Sequence, residues 1–407
     1  MNFYLLMRSK KLLNYKKSKS LPYSRQFLDK SDFQAVNEVL KSDFLTQGKK
    51  VEIFEKLLKN KVGAKYASAV NSATSALHLA CLAVGLKEND VLWTVPNTFV
   101  ASANCGLYCG AKIDFVDIEL NYYNIDTEKL EKKLQNTSKI NLPKVLVVVH
   151  LAGQPANLEK ISYLKKKYKF KVIEDASHAL GATRKNKKIG NCKFSDACIF
   201  SFHPVKPITT AEGGAVLTND KKIHNIVEML RTHGITKNRE FFFNKKNNAG
   251  WYYEQQLLGF NYRMSDIHAA LGISQLKKVK KFVDDRNRLA QNYNKILSHL
   301  PIELPKIEKG NKSSFHLYII RIKNISKKTY NKIFNYLRKN KIFVNLHYMP
   351  IPNHPYYRKK FKFKNFPMSD IYSNSAFSIP IYYGLKIKDQ NFVKAKLEQV
   401  MKKLKII

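Results

Sequence analysis

Apolar positions between about Asp32 and Asp220 alternate between short continuous runs and stretches with helical spacing. The runs at 66–70, 91–95, 145–149, 170–173, 197–200 and 215–217 have strand length and no regular polar alternation. A strand covered by helices on both faces has no solvated side, so it reads as a continuous apolar run. The pattern predicts an α/β domain on a mostly parallel sheet. After the first run, Asn71 stands as N-cap of a helix that begins Ser72-Ala73-Thr74-Ser75-Ala76-Leu77 and ends near Gly85. A long helix is predicted over 265–300. Beyond it come a strand at 316–322, a helix with Tyr330, Ile333, Phe334 and Leu337 at helical spacing, a strand at 343–346 and a last helix from Asn391. Three parts result: a basic extension over 1–22, a large domain over 23–284 and a small α+β domain over 285–407. A chain of 407 residues is long enough for two cores.

Charge changes the picture less than its size suggests. The 72 Lys+Arg against 31 Asp+Glu leave +41, a balance that raises nucleic acid or an anionic membrane as partner. The lysines, however, are spread in short clusters along the whole chain, with no single arm and no recognition helix or RNA platform. They read as a solvated surface, with no specific nucleic-acid partner. Five cysteines lack paired metal-ligand spacing, which points to no metal and to a reducing, cytoplasmic setting. No apolar run reaches the length of a membrane span, and Arg8, Lys10 and Lys11 follow only a short apolar patch, unlike an export signal.

There is no Walker-type loop and no Gly-x-Gly-x-x-Gly after a strand. Three other segments carry the candidate chemistry. The turn Asn71 to Leu77 offers free N–H groups and hydroxyls that suit a phosphate at the positive end of a helix, and it serves equally as an ordinary cap. Glu174-Asp175-Ala176-Ser177-His178-Ala179-Leu180-Gly181 sets Asp175 just past a buried strand, at the edge where open α/β sheets collect ligands. There the carboxylate either caps the next segment or faces a cationic heterocycle such as a pyridinium nitrogen. The third segment, Phe200-Ser201-Phe202-His203-Pro204-Val205-Lys206, holds Lys206 between Pro204 and Pro207 and runs on to Glu212-Gly213-Gly214. Schiff-base chemistry needs a neutral amine, which burial supplies by lowering the lysine pKa; in a chain this rich in lysine the alternative is one more solvated cation.

In order and spacing these segments resemble the DegT-type sugar aminotransferases, a fold-type-I pyridoxal-phosphate family, from Tyr23 to the C-terminus. The resemblance also includes Leu45-Thr46-Gln47-Gly48 and Gly259-Phe260-Asn261-Tyr262-Arg263-Met264. It implies a large domain with a mostly parallel seven-stranded sheet and a small C-terminal α+β domain. It further implies that Lys206 bonds to the cofactor, Asp175 binds its pyridine nitrogen and His178 lies beside the ring and its phenolic oxygen. Ala73, Thr74 and Ser201 would hold the phosphate, Phe99 would stack on the ring, and Asn261 would reach the phosphate of a second subunit, because family sites are shared across a homodimer. His178 stands where most of the family has Gln, and Ala211 where most has Gly. With those departures the chain looks most like the pseudaminic-acid branch, whose members aminate C4 of a UDP-linked 4-keto-6-deoxy-N-acetylhexosamine with L-glutamate. Substrate contacts there match Tyr23, Asp43, Phe44, Leu45, Thr46, Asn345, Leu346, His347 and Tyr348. The alternatives are an aminotransferase for another nucleotide-linked keto sugar, or a non-catalytic polyanion-binding or regulatory relative. Related dehydratases replace the cofactor lysine with His, which Lys206 argues against.

Overall fold

The computed structural model describes residues 20–247 and 249–407. Most of the basic extension, residues 1–19, therefore lies outside the described residues. Its last two, Leu21–Pro22, form a strand that pairs in parallel with Ile342–Phe343, so they belong to the C-terminal layer rather than to an extension.

Seven strands build the central sheet: β1 (Tyr66–Val70), β2 (Val91–Thr94), β3 (Lys112–Phe115), β4 (Val145–Val149), β5 (Lys171–Asp175), β6 (Ala197–Ser201) and β7 (Gly214–Thr218). Their order is β1-β7-β6-β5-β4-β2-β3. Every pairing is parallel except those of β7, which runs antiparallel to both β1 and β6. Successive side chains point to opposite faces, and both faces are covered. Val145, Val147, Ile173 and Ile199 join Leu77, Leu79 and Val227 in one core. Leu146, Val148, Val172 and Cys198 join Phe54, Leu58 and Leu164 in the other.

The two edges are protected differently. At β1 the carboxylate of Glu55 accepts from Ala69 N at 2.7 Å while Arg231 donates to Ala69 O at 2.7 Å, so a side-chain pair satisfies the outward backbone groups. At β3 only Ile113 and Phe115 are covered, by Ile351, Tyr357 and flanking Phe363 and Phe366.

The helix Asp266–Leu297 is unbroken and carries the chain from one core to the next. Leu276, Val279 and Phe282 pack in the large-domain core, whereas Leu289, Tyr293 and Leu297 pack in the small-domain core. The division drawn at 284/285 thus falls inside this helix. The small domain pairs Tyr318–Arg321 antiparallel with Ala376–Ile379 and packs the helices Lys327–Lys339 and Ile387–Lys403 on them. The strand expected at 343–346 ends early, at Phe343. Residues 345–348 instead bend toward the end of the central sheet, where Asn345, His347 and Tyr348 line a cleft.

Candidate active site

The C-terminal ends of the parallel strands open into a cleft of about 470 Å³, where an open α/β sheet collects its ligand. Following β1, Ser72 rather than Asn71 is the N-cap of the helix Ala73–Ala83; its hydroxyl accepts from Ser75 N at 3.1 Å. Asn71 contributes one step away, its Oδ1 accepting from the Ser75 hydroxyl at 2.6 Å. Both are consumed by capping, whereas the N–H groups of Ala73 and Thr74 and the Thr74 hydroxyl have no hydrogen-bond partner among the described residues. Gly214 makes this close placement of the helix start possible, because a Cβ there would lie 2.5 Å from Ala73 N.

Asp175 ends β5 and is 6% exposed. Ser102 Oγ donates to its Oδ2 at 2.6 Å and the Ser177 N–H to its Oδ1 at 3.2 Å, fixing both oxygens. Thr98 and Ser102 share a further hydroxyl contact of 2.9 Å. Lys206 lies half-buried on the cleft wall after β6, its N–H donating to His203 O at 2.9 Å. Burial brings its amine down to about 8 against the opposing pull of Asp175. A lysine so lowered is a competent nucleophile and proton carrier near neutrality. Behind it, burial and then the Lys206 charge hold His347 down to about 3. His347 Nδ1 meets Ser378 Oγ at 2.8 Å, and its ring packs 4.6 Å from that of Tyr23.

Eleven of the residues expected from the sequence meet in this one cleft: Ala73, Thr74, Phe99, Asp175, His178, Ser201 and Lys206, with Tyr23, Asn345, His347 and Tyr348. Six do not line it. Asp43, Phe44, Leu45 and Thr46 are exposed on the surface, pinned by the Asp266 N–H to Leu45 O (3.0 Å) and by the Asp266 carboxylate, which accepts from Gly48 N at 2.8 Å. Asn261 is exposed beside Asn71, whose Nδ2 donates to its carbonyl at 3.4 Å. Leu346 packs into the large core.

Two participants escaped the sequence reading. His316 is buried at the cleft wall, its ring 4.3 Å from that of His178 and its Nδ1 without a partner among the described residues. Ser102 reaches Asp175 across 73 positions. Only the hydroxyls of Thr98 and Ser102, one helical turn apart, hinted at it.

An amine of lowered pKa, a buried carboxylate with both oxygens fixed, and an open helix N-terminus form a set that fits a phosphorylated, cationic aromatic cofactor: the helix start suits the phosphate and Asp175 the ring nitrogen. Fold and cleft together define a pyridoxal-phosphate-dependent aminotransferase of fold type I. The chain belongs to the DegT/DnrJ/EryC1/StrS aminotransferase family, whose model matches residues 26–398. It is 41% identical over 388 residues (95% of this chain, 98% of the relative) to the UDP-4-amino-4,6-dideoxy-N-acetyl-beta-L-altrosamine transaminase of Campylobacter jejuni subsp. jejuni serotype O:23/36. The Helicobacter pylori protein of the same description is 36% identical over 374 residues, covering 91% of this chain and 95% of that one. Among solved structures, Helicobacter pylori PseC, an aminotransferase involved in the biosynthesis of pseudoaminic acid, superposes with a TM-score of 0.86 at 34% identity, over 94% of this chain and all of that one. The PLP form of the sugar aminotransferase Spr1654 from Streptococcus pneumoniae gives 0.85 at 25% identity, over 94% and 99%.

Proposed function

We propose that this enzyme moves the amino group of L-glutamate to C4 of a UDP-linked 4-keto-6-deoxy-N-acetylhexosamine, yielding the 4-amino sugar of the pseudaminic-acid branch of surface-glycan synthesis. The observation that carries the reading is the convergence of Lys206, Asp175 and the open helix start in one cleft, in a chain that matches transaminases of that description over nearly its whole length.

Pyridoxal phosphate supplies an aldehyde carbon for amine exchange and a ring that takes up the electron pair of the deprotonated substrate carbon. Lys206 is the residue that bonds to it. The free Lys206 amine would take the proton from the glutamate Cα and, in the second half of the cycle, return one to the sugar C4. Asp175, held by Ser102 and the Ser177 N–H, would keep the ring nitrogen protonated. Ala73 and Thr74 with Ser201 would hold the phosphate, and the exposed ring of Phe99 would cover the cofactor face.

A homodimer with shared sites is part of this reading. Residues 43–46 and Asn261 stand outside their own chain's cleft, and exposed apolar side chains belong to the same two segments: Phe44 is 63% exposed and Leu258 84%. Gln47 and Phe241 share a groove of about 390 Å³ on the same side. A second copy seated there would bring Asn261 and the 43–46 segment to the partner's cofactor and substrate. Among the described residues no helix is long and apolar enough to cross a membrane, which with a nucleotide-sugar substrate favours a cytoplasmic reaction.

The test is direct. Protein loaded with pyridoxal phosphate should turn yellow, lose the colour on adding glutamate alone, and form the 4-amino sugar when the UDP-keto sugar follows, read by mass spectrometry. Borohydride should fix the cofactor on the peptide containing Lys206. Cofactor fixed on another lysine, or no bleaching by glutamate, would refute the proposal.

A further inference from the structure

We propose that Tyr348 donates the hydrogen bond that polarises the carbonyl oxygen of the keto sugar, a role set by the tautomer of His178; the inference rests on the substrate reading above. The Ala152 N–H donates to His178 Nδ1 at 3.3 Å. An imidazole nitrogen that accepts carries no hydrogen, so the neutral ring has its hydrogen on Nε2. Burial first, then the Lys206 charge, holds His178 well below the ordinary imidazole pKa and so keeps it neutral. His178 Nε2 lies 3.3 Å from Tyr348 Oη. The imidazole therefore donates and the phenol oxygen accepts. That leaves the phenol O–H to find its own acceptor, and among the described residues it has none. Burial first, then Tyr23 and Asp175, raises the Tyr348 pKa and keeps the phenol protonated.

Tyr348 lines the cleft with Lys206, its ring centroid 5.9 Å from that of Phe99. A group whose lone pair is occupied and whose O–H is free complements a ligand atom that only accepts. Of the two groups exchanged in transamination, the ketone oxygen is such an atom and a protonated amine is not. As the incoming amine nitrogen bonds to the sugar C4, the C=O π pair moves onto oxygen, and the Tyr348 O–H stabilises the charge gathering there. That oxygen then leaves as water with two hydrogens given up by the amine nitrogen, so Tyr348 keeps its own proton. Position 178 thus acts at one remove: it positions the phenol that touches the substrate.

The test uses the holoenzyme carrying Tyr348→Phe, which removes one oxygen and little volume. The yellow cofactor colour and its bleaching by glutamate should persist, while kcat with the keto sugar falls by about 100-fold, the loss typical of one missing oxyanion donor. In the glutamate-free holoenzyme, affinity for the keto sugar should fall by roughly three- to tenfold, the worth of one neutral hydrogen bond, and affinity for a UDP sugar lacking the C4 oxygen should not change. A merely structural role would weaken both ligands alike and overturn the proposal, as would a variant with wild-type kcat. Wild-type enzyme run alongside separates the readings: if it leaves the keto sugar untouched, both fall, whereas a working wild type equalled by Tyr348→Phe sinks this one alone.

Discussion

Removing the charge of Lys206 should stabilise the cofactor-free protein. The structure buries this amine on the cleft wall with Asp175 as the opposing charge, and desolvation wins, bringing the amine from 10.5 to about 8. At 1.36 kcal/mol per pH unit the ammonium form costs the folded state an upper figure of about 3 kcal/mol. Below pH 8 folded and unfolded chains both carry the proton, and this cost is fully present. Between about 8 and 10.5 the folded protein releases a proton that the unfolded chain still binds, so its stability rises with pH; above 10.5 both are neutral and the cost is gone. Lys206→Met keeps the bulk of the side chain and removes the titration. Thermal unfolding of the cofactor-free proteins should place the variant above wild type at neutral pH by up to about 3 kcal/mol, with the gap closing as pH passes 10.5. A variant less stable than wild type at neutral pH, or a gap that does not change with pH, would refute the claim that Lys206 is held as a costly buried cation.

Other perturbations reach neighbouring parts of the site. Asp175→Asn should slow both half-reactions by at least about 100-fold without loss of fold, measured as bleaching by glutamate and recovery with the keto sugar; unchanged rates would reduce Asp175 to a turn residue. Ser102→Ala, which removes a charge-assisted bond to that carboxylate, should cost roughly tenfold in the same assay. Ala211 sits at φ +68, a left-handed conformation that costs an L-residue about 1–2 kcal/mol, partly offset by the stiffer unfolded chain of alanine; Ala211→Gly should therefore raise stability by roughly 0.5–1 kcal/mol in denaturant titration. If sites are shared, Lys206→Ala and Asn261→Ala chains, each weak alone, should regain activity on mixing, because one site of the mixed dimer holds both intact residues; proven subunit exchange without any gain would place Asn261 elsewhere.

How much of this was legible in the sequence follows from burial. Six of the seven central strands read as apolar runs because both of their faces are covered. The seventh, Lys112–Phe115, escaped because it is an edge with one covered face: Ile113 and Phe115 point into an aromatic cluster while Lys112 is exposed and Asp114 pairs with Lys133. The helix start was misplaced by one residue because Asn71 and Ser72 are both capable caps, and only backbone geometry assigns the role to Ser72. Lys206 and Asp175 could be placed at the sheet edge because Asp175 ends one recognisable strand and Lys206 follows another by a short loop, and the family resemblance then gave them their expected roles. His316 was not, because its meaning lies in a ring 4.3 Å away that belongs to another part of the chain, and local pattern carries no such information. The departure at Ala211 was visible as a residue but not as strain until its φ was known.

The same distinction bears on the two motifs that miss their own cleft. Leu45-Thr46-Gln47-Gly48 is not loose: the Asp266 N–H donates to Leu45 O, and the Asp266 carboxylate accepts from Gly48 N and Lys50 N at 2.8 and 2.7 Å. The segment around Asn261 is equally tied, with the Asn71 N–H on Tyr262 O and the His233 N–H on Phe260 O at 2.9 Å each. Ordering a surface loop costs conformational entropy, and ordering one that exposes Phe44 and Leu45 also leaves apolar area in water. The hydrogen bonds just named offset part of the ordering cost within one chain, whereas the apolar area of Phe44 and Leu45 stays in water there. A second copy on that surface would cover that area, and pre-formed motifs would enter a partner's site with little further ordering. Hydrogen-bonded surface segments that expose apolar side chains are therefore what the proposed completion of the site in pairs requires.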